Sequence, residues 1–227
     1  HGRIDWSGQA LRAEVAAAGE PLADKKAPPL EATLRGRGDL QTFTVEALHA
    51  ALPGIVADLS APVTVERSGK FRESPARFAL QVDLAKQPWF SARGTASVEA
   101  VLASGVAAAP VVEFRVAASD VVAEGLAIAR VQGAGKFAWP RVQVTTATVA
   151  GAAGEQLRGT GGWDFHTREI FDAAVDGEIR RTTLARWLPA QPEFTAITVK
   201  ARASGPPATV KHEGEARTPA VTFGNVK

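Results

Sequence analysis

Two stretches decide the fold: Val131-Gln132-Gly133-Ala134-Gly135-Lys136-Phe137-Ala138-Trp139 and, further along, Leu157-Arg158-Gly159-Thr160-Gly161-Gly162-Trp163-Asp164-Phe165. Taken at every second residue, both give the same order of apolar, glycine, glycine, aromatic, aromatic, with polar or small residues in between. Side chains of a β-strand alternate between the two faces of a sheet, so a period of two places each such row on one face. Weaker copies run through Leu34, Gly36, Gly38 and Leu40, and through Ala92, Gly94, Ala96 and Val98. Glycine weakens a strand interior, so its pairing on the apolar face points either to a sharp bend or to something packed close against the backbone.

The same alternation spreads outward from these copies. Phe78, Leu80, Val82 and Leu84 share a face against Arg77, Gln81 and Asp83, and Val112, Phe114 and Val116 alternate with Glu113 and Arg115. Towards the end, Val210, His212 and Ala216 alternate with Lys211, Glu213, Glu215 and Arg217. These are the marks of antiparallel strands with one solvated face. Turn-forming clusters at residues 19–29, 67–75, 107–110, 189–192 and 205–207 separate them, and none is long enough to be a domain linker. Two stretches break the pattern. Leu48 and Leu52 stand four apart after Thr44, and Leu184, Trp187 and Leu188 follow Thr183 at helical spacing; each ends in a Leu-Pro pair, which stops a helix. Short helices are therefore expected over 44–52 and 183–188.

Composition excludes several classes of function. The chain has 227 residues, enough for one large β domain, and carries 26 Lys+Arg against 24 Asp+Glu, a formal net charge of +2. Neither half is a basic tail, so nucleic acid is not an expected partner. Cysteine is absent, which closes the disulfide and thiolate options. No apolar run reaches the length of a membrane-spanning helix. The histidines, His1, His49, His166 and His212, show no metal-binding spacing. Asp164 and His166 leave the same strand face with Glu169 close by, but polar residues opposite Trp163 and Phe165 are in general just the solvated face. Gly133-Ala134-Gly135-Lys136 lacks the hydroxyl residue of a phosphate loop, and Arg37-Gly38-Asp39 spells an adhesion tripeptide inside an alternating strand. No nucleophile elbow occurs.

Ala-, Gly- and Val-rich amphipathic strands in tandem, the run Leu157 to Phe165, the following Ala174-Val175-Asp176-Gly177-Glu178-Ile179 and the Leu-Pro pair before a new strand resemble the AsmA/TamB superfamily of envelope proteins. The resemblance implies an all-β fold: a long antiparallel, curved U-shaped (taco-like) sheet with an apolar concave face and one or two short helices, residues 1–227 forming a single β-rich segment of a larger protein. It implies no enzyme activity and no cofactor or metal. It implies instead a periplasmic bridge that holds phospholipid acyl chains between the inner and outer membranes of a Gram-negative-type envelope, the parent being anchored in the inner membrane. Outer-membrane biogenesis, with an outer-membrane barrel protein as partner, is a further implication. The expected lining is Leu34, Leu40, Phe78, Leu80, Val82, Leu84, Val112, Phe114, Val116, Val131, Phe137, Trp139, Leu157, Trp163, Phe165, Phe171, Val175 and Ile179. The alternative expectation is a structural or adhesive β-repeat protein of the cell surface, since tandem amphipathic strands also build solenoids and sandwiches.

Overall fold

Period-two patterning of this kind leaves little room for anything but strands, and the computed structural model is nearly all strand. It describes residues 1–8, 10–19, 29–72, 75–87, 91–102, 111–185 and 193–222. The chain divides into two compact units, His1–Val116 and Ala117–Lys227. The first holds β1 (Gly2–Ser7), β2 (Ala10–Gly19), β3 (Leu30–Gly38), β4 (Thr42–Leu52), β5 (Ile55–Leu59), β6 (Val63–Glu66), β7 (Ala76–Asp83) and β8 (Ala92–Leu102). The division falls inside β9 (Val111–Ala123), and the second unit continues with β10 (Leu126–Ala138), β11 (Arg141–Gly151), β12 (Gln156–Asp164), β13 (Glu169–Arg180), β14 (Ala196–Gly205) and β15 (Lys211–Arg217). Neighbours in sequence are neighbours in the sheet throughout, except that β5 pairs with β7 while β6 joins the first half of β4. Among the described residues β1 and β15 end the order of paired strands. A single α turn, α1 (Arg181–Leu184), and two short 3₁₀ turns at Leu84–Lys86 and Pro207–Thr209 are the helical pieces among the described residues.

Register decides which side chains share a face, because residues directly opposite in an antiparallel pair point the same way. In the first unit Ala17, Ala32, Ala50, Ala57, Leu80 and Val98 form one row across six strands. Leu52, Ile55, Val82 and Ala96 form the next. Trp6, Leu11, Gly38, Phe43 and Val65 form another, on the same face. The other face carries the charges: Arg3 lies opposite Glu14, which lies opposite Arg35, and His49 Nδ1 stands 2.6 Å from Asp58. Glu46 reaches Arg37 at 2.9 Å on that side.

Several expected features are corrected. Residues 44–52 are not a helix but most of β4. The register shifts between Arg35 and Gly36, so that Gly36 faces Val45 and Arg35 faces Ala47. The extra residue, Glu46, makes a bulge that keeps Val45 and Leu48 on one face, while the four-residue spacing of Leu48 and Leu52, which also fits a helix, is two steps along that face. The Leu52-Pro53 stop is the start of a hairpin turn in which Leu52 pairs with Ile55. Leu40 is not on a strand; β3 ends at Gly38, and the Asp39 carboxylate accepts the backbone N–H groups of Gln41 and Thr42, both at 2.7 Å, leaving Leu40 exposed in the turn. The Arg37-Gly38-Asp39 tripeptide therefore straddles a strand end. Leu84 belongs to the 3₁₀ turn that follows β7. The second helix is one turn that starts earlier than expected, at Arg181, and Trp187 and Leu188 lie outside the described residues.

Gly36 is fixed by close approach. A Cβ at this position would stand 2.6 Å from the Thr44 carbonyl oxygen and 2.7 Å from the Phe43 ring, which lies over the gap. Gly36→Val should therefore destabilise the first unit by about 1–3 kcal/mol, the usual cost of overpacking, because backbone as well as a side chain must move. Chemical denaturation of the two proteins measures this, and equal midpoints would contradict the packing described.

Candidate apolar binding face

In the second unit the apolar rows become a surface with a definite relief. Val131, Val149, Leu157, Gly177 and Val199 form one row across five strands. Beside it run Gly133, Ala147, Gly159, Val175, Ala201 and Gly214, a row built almost wholly from the smallest residues. At the far side stand Phe137, Val142, Trp163 and Ile170. Small side chains flanked by larger ones make a shallow floor crossing the strands. With strands about 4.8 Å apart, six of them give it a length of about 24 Å. No side chain lies over Gly133 or Gly159. A Cβ built on Gly133 would have one neighbour, the Thr146 carbonyl oxygen at 3.4 Å, and one on Gly159 would have one neighbour, the Ala174 carbonyl oxygen at 3.1 Å.

The opposite face of this unit is a charge ladder. Arg158, Asp176, Lys200 and Glu215 are opposite one another on four successive strands, and Arg202 faces Glu213. Such alternation suits water and leaves no field of one sign to attract a charged ligand.

The expected lining divides on this map. Val131, Phe137, Leu157, Trp163, Val175 and Ile179 share the apolar face of the second unit, with Trp139 and Phe165 just beyond the ends of their strands. Leu34, Phe78, Leu80 and Val82 share the apolar face of the first, and Val112, Phe114 and Val116 are the half-buried members of an alternation with exposed neighbours in β9. Phe171 is on the wrong side. A register shift between Ile170 and Ala173 turns it to the charged face, where its ring covers Gly162 and lies 5.5 Å from the Arg141 guanidinium. Among the described residues no large side chain is fully buried; the nearest to a core are Ala13, Val63 and Ala76. The small-residue floor was missed from sequence because Ala147, Ala201 and Gly214 join it only through register.

The Asp164 cluster has a structural task. Its carboxylate takes a 2.7 Å bond from Arg141 Nε and accepts the backbone N–H groups of His166 at 2.9 Å and Thr167 at 3.0 Å, which ties the β12–β13 turn. The Arg141 bond first, then those N–H groups, hold its carboxyl below the usual carboxylate range despite its burial. Glu155 is similar. Burial works against its charge, but the Thr183 hydroxyl, two backbone N–H groups and nearby Arg180 outweigh that and lower its pKa, pinning α1 to the β11–β12 turn. Among the described residues no group of three His, Asp or Glu is placed to hold a metal ion.

Comparison of the chain with family models, with curated proteins and with solved structures finds no match. The reading of this face therefore rests on its own geometry.

A depressed folded-state pKa stabilises above the unfolded carboxylate value, about 3.9–4.3, and that stabilisation is lost as pH falls through the folded value. Melting temperature should accordingly drop as pH is lowered below about 4. Asp164→Asn should melt lower at neutral pH and show a shallower acid drop. Parallel pH profiles would contradict the assignment.

Proposed function

We propose that the chain is a non-enzymatic lipid-binding protein whose apolar sheet faces hold acyl chains. The observation that carries this reading is the uncovered floor of Gly133, Ala147, Gly159, Val175, Ala201 and Gly214, bordered by larger apolar residues and backed by a charged face. An apolar face left in water is costly, and each methylene removed from water contributes about 0.8 kcal/mol without a directed contact. Acyl chains supply that cover. The alanine row of the first unit, Ala17, Ala32, Ala50 and Ala57, offers a second floor of the same kind. A surface with few polar anchors binds by area, so it tolerates chains of different length and lets them slide, as transfer requires. Phospholipid as the cargo, a place in a Gram-negative-type envelope between inner and outer membranes, and an outer-membrane barrel protein as partner belong to the same proposal; the strand texture compared above with the AsmA/TamB superfamily supports them.

Gly133→Leu separates this reading from a sheet that is merely amphipathic. The new Cβ meets only the 3.4 Å carbonyl contact, and replacing a strand glycine gains stability of up to about 1 kcal/mol. It occupies the space of roughly two methylenes of bound chain, so affinity for a fluorescent fatty acid should fall about tenfold. Weaker binding with equal or higher melting temperature is the expected result. Unchanged binding in a folded variant would refute the floor as the site.

A further inference from the structure

The turn end of the second unit carries exposed aromatic rings that acyl-chain binding does not need. Trp139 is 63% exposed and Phe165 46% exposed, yet their rings stack at 5.8 Å and 14°, and Phe137 meets both edge-on at 6.4 and 6.3 Å. Large apolar rings usually leave water on folding; here three are held together at the surface. The Phe165 N–H bond to the Pro140 carbonyl, 2.9 Å, locks the β10–β11 and β12–β13 turns to each other, so the cluster is built and not a loose contact of two loops.

Antiparallel order brings three connections to this end: 139–140, 165–168 and 206–210. They contain Trp139, Pro140, Phe165, Pro206, Pro207 and Val210, together with His166 and Arg168, and no acid. Asp164 beside them is already neutralised by Arg141. The connections at this end are thus rich in aromatic and apolar residues, with Arg168 as their fixed cation and Glu169 opening the next strand.

We propose that this end is a membrane-docking tip, with Trp139 and Phe165 entering the interfacial layer of a bilayer and Arg168 and His166 meeting anionic headgroups. Indole and phenyl rings settle at the boundary between headgroups and acyl chains, and neighbouring cations add attraction to anionic lipid. The tip borders the apolar floor through Phe137 and Trp163, so a docked bilayer stands against the end of the acyl-binding face. This goes beyond the binding reading and can fail independently of it.

Co-sedimentation of the full chain with vesicles of phosphatidylcholine plus phosphatidylglycerol, against pure phosphatidylcholine, tests the tip. The double variant Trp139→Ala and Phe165→Ala should lose at least about tenfold in partition, the equivalent of about 1.4 kcal/mol. Arg168→Glu should lose binding to the anionic vesicles and leave neutral ones unaffected. The absence of cysteine allows a control free of core changes. Thr167→Cys with an environment-sensitive fluorophore should shift to the blue on adding vesicles, and this supports the tip even if the double variant melts early. No vesicle binding by the parent protein, equal binding by the folded double variant, or a label that stays in water would overturn the proposal. Binding of the parent to soluble glycans in preference to vesicles would overturn it as well. Fatty-acid affinity measured without vesicles should be unchanged in Arg168→Glu, whose side chain belongs to the 165–168 turn and not to the lining, which keeps failure of the tip distinct from failure of the floor.

Discussion

Alternation across a pleated sheet is the constraint on which everything else here depends. Every apolar residue in a strand commits its neighbours two positions away to the same face, and a slip of one residue would expose the whole row. In this chain the rows from successive strands agree, so each unit gains one apolar face and one charged face. Register, more than any single contact, holds the two apart. The alternating charges of Arg158, Asp176, Lys200 and Glu215 reward the observed pairing. With alanine and glycine filling so many apolar positions, little volume is available for a sealed core, and the apolar faces stay half-buried.

β-bulges keep those faces consistent where the sequence breaks step. In β11 the apolar positions run Val142, Val144, then Ala147 and Val149, changing parity, and the register shift between Val144 and Ala147 absorbs the change. β4 does the same at Glu46, and β13 between Ile170 and Ala173. These inserted residues also bend a strand and increase its twist. The glycines read as bends or close approaches turn out to serve two purposes: Gly36 and Gly162 make room for the rings of Phe43 and Phe171, while Gly133 and Gly159 stay uncovered.

The all-β class was legible in the sequence because alternation is local and repeated. Strands such as β7, with Phe78, Leu80 and Val82 on one face, need no tertiary knowledge to be placed. The failures have two causes. Leu48 and Leu52 looked helical because a spacing of four also fits one face of a strand, and Phe171 was placed on the face of Val175 because a bulge shifts parity without leaving a sequence mark of its own. The floor was invisible for a different reason: Gly133, Ala147, Gly159 and Ala201 come from separate strands, and only the pairing sets them in line. The tip was half visible, since Trp139 and Phe165 end equivalent copies of the repeat, but their stacking depends on two turns meeting.

Organic extraction of the purified chain followed by lipid mass spectrometry tests the central claim most directly, because the claim is that acyl chains cover a face that protein does not. Phospholipid or fatty acid should be recovered in amounts comparable to the protein, and delipidation should leave the apolar face open to a hydrophobic dye. A lipid-free, well-folded monomer that binds no such dye would contradict the account.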